Sequence, residues 1–259
     1  MGQTTQAFPL HAQPAGGASP APLKSGEGFL HSWQKSFPVR MIRRGVHAVV
    51  YNAFVKPAIT RTDVTSMLGF SLTIPPSVFH PKFYLTSRFF AKYLRTQDLH
   101  DLDILEMGCG SGILSLVAAR NGARVTSADI NPKAVECTLF NAKVNGLEDR
   151  VRGYTSDLFA GLPDYTAFHH IIWSPPFYPR DPVDDAERAW YAGEGYSVIS
   201  RFAGTARMYL RNGGSIILLV SSEIDIPRIL SFFESAGFVP ALLRTRKKMF
   251  ETLNIYEFR

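Results

Sequence analysis

Two short stretches hold the residue types from which chemistry can be built. The first is Glu106-Met-Gly108-Cys-Gly110-Ser-Gly112. Glycines alternating in this way let a backbone turn tightly and approach a ligand closely, and a helix starting next to them offers free N–H groups. The spacing is GxGxG and lacks the extra residue of the GxGxxG loop that seats a dinucleotide pyrophosphate. About twenty residues on, Asp129 closes the run Val125-Thr-Ser-Ala-Asp-Ile130, where a carboxylate can accept hydrogen bonds from both hydroxyls of a ribose. The alternative role for Asp129, a helix cap, is already filled by Asn131 ahead of Pro132.

The second stretch is Trp173-Ser174-Pro175-Pro176-Phe177-Tyr178. Two consecutive prolines stiffen the chain and remove two N–H donors. What can face a ligand is the Ser174 hydroxyl, the Pro175 carbonyl and the aromatic rings. Two acceptors gripping the hydrogens of a planar amino or amide nitrogen favour its pyramidal, nucleophilic form as positive charge develops. Phe177 or Tyr178 can stack on the flat group that carries it. The blander alternative is a proline-rich loop around a buried aromatic pair. No His, Cys or carboxylate cluster has metal-ligand spacing, and two cysteines cannot build a disulfide framework.

Elements must hold these stretches in place. Strands are expected at 103–107, 123–130, 151–156, 170–173 and 215–220, alternating with helices at 113–121, 132–145, 186–210 and 226–236. Such alternation means crossover units and a mostly parallel sheet covered on both faces. Two consecutive strands, 239–247 and 253–258, predict an antiparallel finish. Upstream, 65–74 reads as one strand broken by Pro75-Pro76, and a helix is expected from Lys82 or Phe83 to about Arg95.

Over roughly 103–259 the sequence resembles the class I S-adenosylmethionine-dependent methyltransferases. The resemblance implies an α/β, Rossmann-like, seven-stranded mostly parallel sheet with an antiparallel last strand. It also implies that Glu106, Gly108, Gly110 and Gly112 surround the methionine portion of S-adenosylmethionine, that Asp129 holds the ribose, and that Ile130 lies against the adenine. Asp157-Leu158 matches the pair in which an acid meets the adenine amino group. Ser174, Pro175, Pro176 and Phe177 resemble the (Asn/Asp/Ser)-Pro-Pro-(Tyr/Phe) motif of enzymes that methylate amino and amide nitrogens, the HemK-like glutamine methyltransferases among them. Ser174 stands where that group has Asn, Phe177 where it has Tyr and His169 where it has Asp. Val78-Phe-His-Pro-Lys-Phe-Tyr-Leu-Thr-Ser87 resembles the group's segment over the methionine end, making Phe79, His80 and Thr86, with Tyr178, further candidates. The function implied is N-methylation of a protein glutamine-like amide or a small-molecule nitrogen. The alternatives are methylation of an RNA or DNA nucleobase amino group and a non-catalytic cofactor-binding scaffold.

The chain has 259 residues and a net charge of +6, which permits an acidic partner without demanding one. Residues 1–28, rich in Gly, Pro, Ala and Gln, read as a disordered tail, 29–95 as an N-terminal extension and 96–259 as the methyltransferase domain. Within the extension, 39–55 reads as a basic amphipathic helix. It either docks on the domain or contacts a membrane surface or nucleic acid. No apolar run reaches the roughly 20 residues of a membrane span and no apolar leader core is present, so a cytoplasmic enzyme is expected.

Overall fold

The computed structural model describes residues 61–81, 85–164, 166–183, 187–247 and 251–259. The tail at 1–28, the helix expected over 39–55 and the start of the helix expected from Lys82 lie outside the described residues.

The apolar run Ile216 to Val220 is buried along its whole length, as a strand covered on both faces must be. It belongs to β7 (Leu210–Ser221), which lies in a seven-stranded sheet with β3 (Asp103–Met107), β4 (Arg124–Asp129), β5 (Val151–Thr155), β6 (Phe168–Trp173), β8 (Pro240–Lys247) and β9 (Thr252–Phe258). The order is β5-β4-β3-β6-β7-β9-β8. The first five run parallel, and β9 inserts antiparallel between β7 and β8. This is the sheet the sequence predicts, down to the antiparallel finish.

Helices α1 (Leu85–Leu94), α2 (Ile113–Arg120) and α3 (Pro132–Val144) cover one face, and α4 (Ser197–Ala206) and α5 (Ile226–Ser235) cover the other. Asn131 caps α3 as expected, its side chain accepting from the Lys133 N–H, with Pro132 in the first turn.

Two expectations are corrected. The single strand at 65–74 is a hairpin of β1 (Asp63–Met67) and β2 (Phe70–Ile74), with Met67 opposite Phe70. Leu68 and Gly69 turn the chain at φ 54° and 85°, the positive values that a tight two-residue hairpin turn demands. The stretch expected as mainly helix over 186–210 is helical in pieces: short 3-10 turns at Glu187–Ala189 and Glu194–Tyr196 precede α4, a third at Arg207–Tyr209 follows it, and β7 begins at Leu210. Gly193 and Gly195, both at positive φ, break the helical path.

The hairpin is fastened to α3 by an amide ladder. Asn141 accepts from Thr73 N–H at 2.8 Å and Asn145 from Ser71 N–H at 3.0 Å. Their Nδ2 groups donate back to the carbonyls of Thr73 and Ser71. Asparagines four apart lie on one helix face, and strand residues two apart point their backbone groups the same way. The helix thus pairs with the strand edge as another strand would. Phe70, Leu72 and Ile74 enter the same core as α1, α2 and α3, so the segment that follows β2 starts from a fixed base.

Candidate active site

β3 and β6 are neighbours, with Met107 opposite Trp173. The glycine loop after β3 and the Ser-Pro-Pro-Phe segment after β6 therefore leave the sheet side by side. The strand order also reverses here, which opens the crevice where α/β sheets bind ligands.

Gly108, Gly110 and Gly112 all have positive φ, and at Gly112 it is 80°. A Cβ on Gly112 would lie 2.8 Å from Thr138 Cγ2 and 3.0 Å from Thr138 Cα, so the loop packs against α3 too closely for any side chain. Gly112→Ala is expected to destabilise the fold by about 2–3 kcal/mol, combining left-handed backbone with overpacking. Denaturant unfolding checks it, and an unchanged midpoint would mean that α3 gives way without cost.

Gly112 is also the N-cap position of α2, with no side chain to offer. The acceptor comes from the strand instead. Glu106, 2% exposed, takes the Ser115 N–H on Oε2 at 2.8 Å and the Ser115 hydroxyl on the same oxygen. Ser115 Oγ in turn lies 2.6 Å from Ser127 Oγ on β4. Burial pushes the Glu106 carboxyl up to about 8, against the pull of the Ser115 hydrogen bonds and with a smaller push from Asp129. Ser115 and Ser127 had no motif to reveal them.

Asp129 Oδ2 accepts from the Gly110 N–H at 3.0 Å and Oδ1 from the Asn131 N–H at 2.9 Å. Burial raises its carboxyl, and these backbone donors work in the opposite direction. A third backbone donor, the Ile130 N–H, acts on the same carboxylate in the same direction. Ile130 beside it is 37% exposed. Asp157 lies beyond β5 and is engaged by α4, its Oδ2 accepting from Arg201 Nη2 at 2.9 Å. Leu158 takes φ 52° and packs on the core beneath α4. Arg201 is a neighbour that spacing alone does not connect to Asp157.

Pro175 is buried and Ser174 half-buried, while the Trp173 indole packs on Phe202 at 4.2 Å between ring centres. Tyr178 forms a bridge with Tyr191, its N–H donating to the Trp190 carbonyl at 2.9 Å. Phe79 stands 5.4 Å from Trp190, ring to ring. Its Cβ lies 3.8 Å from where a Cβ on Gly110 would sit. Three of the upstream candidates are thus separated: Phe79 reaches the glycine loop, His80 is buried with Nε2 2.9 Å from Asp63 of β1, and Thr86 is buried in α1. Trp190 and Tyr191 lie between the 3-10 turns, in the part of the expected helix that is not helical. The aromatic doublet ahead of Gly193 and Gly195 was the available sign of a loop.

Cys109 and Cys137 are buried and unpaired. Burial raises the Cys109 thiol well above its ordinary value and the Cys137 thiol to about 12, so neither supplies a thiolate nucleophile. Among the described residues no group of three or more His, Cys, Asp or Glu side chains is placed to hold a metal ion, and no helix is long and apolar enough to cross a membrane.

The methyltransferase small domain family matches residues 70–245. A provisionally named protein N5-glutamine methyltransferase of Methanocaldococcus jannaschii is 29% identical over 193 residues, covering 72% of this chain and 94% of the relative. The ribosomal RNA small subunit methyltransferase C of Alcanivorax borkumensis is 29% identical over 139 residues, 52% of this chain but only 38% of the relative. Among solved structures, the 16S rRNA N2 methyltransferase of T. thermophilus, in complex with AdoMet and guanosine, superposes with a TM-score of 0.57 at 22% identity, over 77% of this chain and 50% of that one. The E. cuniculi enzyme complex that methylates the eRF1 termination factor gives 0.54 at 21% identity, over 70% and 98%. With the glycine loop and the reversed strand order in place, these matches identify the chain as a member of the methyltransferase small domain family, a class I S-adenosylmethionine-dependent methyltransferase.

Proposed function

We propose that the acceptor is the planar amide nitrogen of a protein glutamine or a comparable small-molecule nitrogen. The observation that carries this reading is the position of Ser174 and Pro175: they leave β6 directly beside the glycine loop that leaves β3. The pocket residues fit the cofactor. Left-handed glycines expose backbone to the methionine portion, and Asp129 offers a carboxylate to the ribose hydroxyls. When bound, S-adenosylmethionine supplies a methyl group activated by its sulfonium. Ser174 Oγ and the Pro175 carbonyl accept the two N–H hydrogens of the acceptor, drawing its lone pair out of conjugation. Phe177 packs against the flat amide. Alignment supplies much of the rate. No strong base is required, since a nitrogen that has gained a methyl group releases its proton readily, and His80 is held by Asp63.

Asp129→Ala should weaken cofactor binding by at least about tenfold, from two charge-assisted hydrogen bonds at roughly 1.5–3 kcal/mol each. Calorimetry measures it, and an unchanged dissociation constant removes Asp129 from the ribose site.

The second reading, a nucleobase acceptor, draws on the exposed Arg244 and Lys247 of β8, an edge strand. Beside the acceptor motif itself, Asp181 and Glu194 are exposed and Arg180 is neutralised by Glu187 at 2.8 Å, a setting unfavourable to phosphates. Tritium transfer from labelled cofactor into lysate separates the two. Label lost to protease and kept after nuclease supports the amide; the reverse, with a salt dependence of about −0.7 to −0.9 per phosphate contact, supports a nucleic acid. A cytoplasmic setting fits the unpaired cysteines.

A further inference from the structure

A helix on the surface of a folded domain normally turns charged and polar side chains to water. α3 departs from this. On its outward side Phe140 is 52% exposed and Val144 48%, four residues apart and so on one face, and Leu139 beside them is 38% exposed. A second exposed apolar pair, Leu242 and Leu243, lies on the edge strand β8 together with Pro240, Arg244, Arg246 and a register shift between Leu242 and Arg244. Proline, positive charge and a bulge are the features that keep strand edges from pairing. The stripe on α3 is framed differently.

Its charges are of both signs. Glu136 and Lys143 are exposed and flank Phe140, one on either side along the helix. Neither forms an ion pair with another described residue. When two identical helices lie antiparallel about a two-fold axis, residues whose numbers add to one constant sum face each other, so a patch must complement itself reversed. With the axis between Leu139 and Phe140, Glu136 faces Lys143 of the second copy, and the reciprocal pair forms on the other side of the axis. Leu139 and Phe140 then meet in the middle. A parallel pair would set glutamate against glutamate and lysine against lysine. The inner side of α3 is already occupied: Thr138 donates to the Gly110 carbonyl at 3.3 Å and Asn141 to the Ser111 carbonyl at 3.0 Å. Covering the outer side leaves these braces of the glycine loop in place.

We propose that two copies of this chain associate through α3, the helices antiparallel and crossing at Leu139 and Phe140, with Glu136 of each copy paired to Lys143 of the other. The inference concerns assembly and stands apart from the identity of the methyl acceptor. α3 has 13 residues and is therefore about 20 Å long. One such helix a side makes a contact smaller than a standard protein interface, so the dimer is reversible and dissociates in the micromolar range.

Sedimentation equilibrium of the full chain from about 1 to 200 µM tests it, the mass rising from one chain towards two across that range. Phe140→Asp should weaken association by at least about 100-fold, because it places two carboxylates in the centre of the contact. Glu136→Lys and Lys143→Glu should each weaken it by about tenfold, since each sets like charges opposite one another twice per dimer. The double variant carrying both changes should return to within about threefold of the parent, and so should an equal mixture of the two single variants, in which every facing pair is again of opposite sign. Thermal unfolding confirms that each variant is folded. A parent that remains a single chain throughout overturns the proposal and leaves the stripe to residues 1–60 or to a different protein. A parent dimer indifferent to Phe140→Asp places the contact elsewhere and overturns it as well. A double variant as weak as the single ones overturns the antiparallel pairing of Glu136 with Lys143.

Discussion

Ser174→Ala is expected to slow turnover by about 100- to 1,000-fold with little change in cofactor affinity, the scale of removing one preorganised polar group that acts in the transition state. The geometry sets the direction. Ser174 follows Trp173, whose Cα partner is Met107, so Ser174 and Pro175 leave the sheet next to the glycine loop proposed to hold the methyl donor. Ground-state binding of a flat amide needs neither acceptor strongly. Both become important once the nitrogen turns pyramidal and its N–H hydrogens grow more acidic. The effect should therefore fall on kcat. Ser174→Asn, which restores an acceptor oxygen at the same place, should recover most of the loss on an amide. If Ser174→Ala turned over as fast as the parent at saturating acceptor, the amino-nitrogen mechanism would be wrong whatever the cofactor does.

The parts of the protein legible in its sequence are those in which local pattern and tertiary demand agree. Buried parallel strands need continuous apolar runs, so Ile104-Leu105, Ile171-Ile172 and the run ending at Val220 announce themselves. A position where an added Cβ would lie 2.8 Å from Thr138 can hold only glycine, so Gly112 stands out too. The failures occur where a local rule was satisfied twice. Thr65 to Ile74 alternates well enough for one long strand, and Leu68 in the left-handed region is an unusual turn residue. Only Gly69 hinted at reversal. The stretch before α4 has helix-forming residues, but Gly193 and Gly195 divert it into the loop that brings Trp190 to Phe79. Neither the Asn141–Asn145 ladder nor the pairing of Asp157 with Arg201 could be read from spacing. Both join residues far apart in sequence through side-chain hydrogen bonds, which leave no periodicity.

Raising the pH is expected to destabilise the parent enzyme through Glu106, and Glu106→Gln should abolish that dependence. In the unfolded chain the carboxyl ionises near its ordinary 4.5, whereas burial in the fold holds it up to about 8. The folded state therefore binds a proton more tightly, and its advantage is complete below about pH 4.5. It is lost progressively as pH rises towards 8 and is fully gone above that. A shift of this size corresponds to as much as about 4–5 kcal/mol between the two limits. Glutamine can still accept the Ser115 N–H through its amide oxygen, so α2 keeps its cap while the titration disappears. Urea unfolding from pH 5 to 9 should show parent stability falling with the variant flat in comparison, and equal slopes would place the Glu106 proton elsewhere. The same group reports on the pocket. A cationic amine brought close to Glu106 favours its charged form, so cofactor binding near pH 7.5 should release protons in the parent, measurable as a dependence of calorimetric heat on buffer ionisation enthalpy. Glu106→Gln should lose that release together with part of its affinity. Proton release that persists in the variant would assign it to another group, and would leave Glu106 with the single task of capping α2.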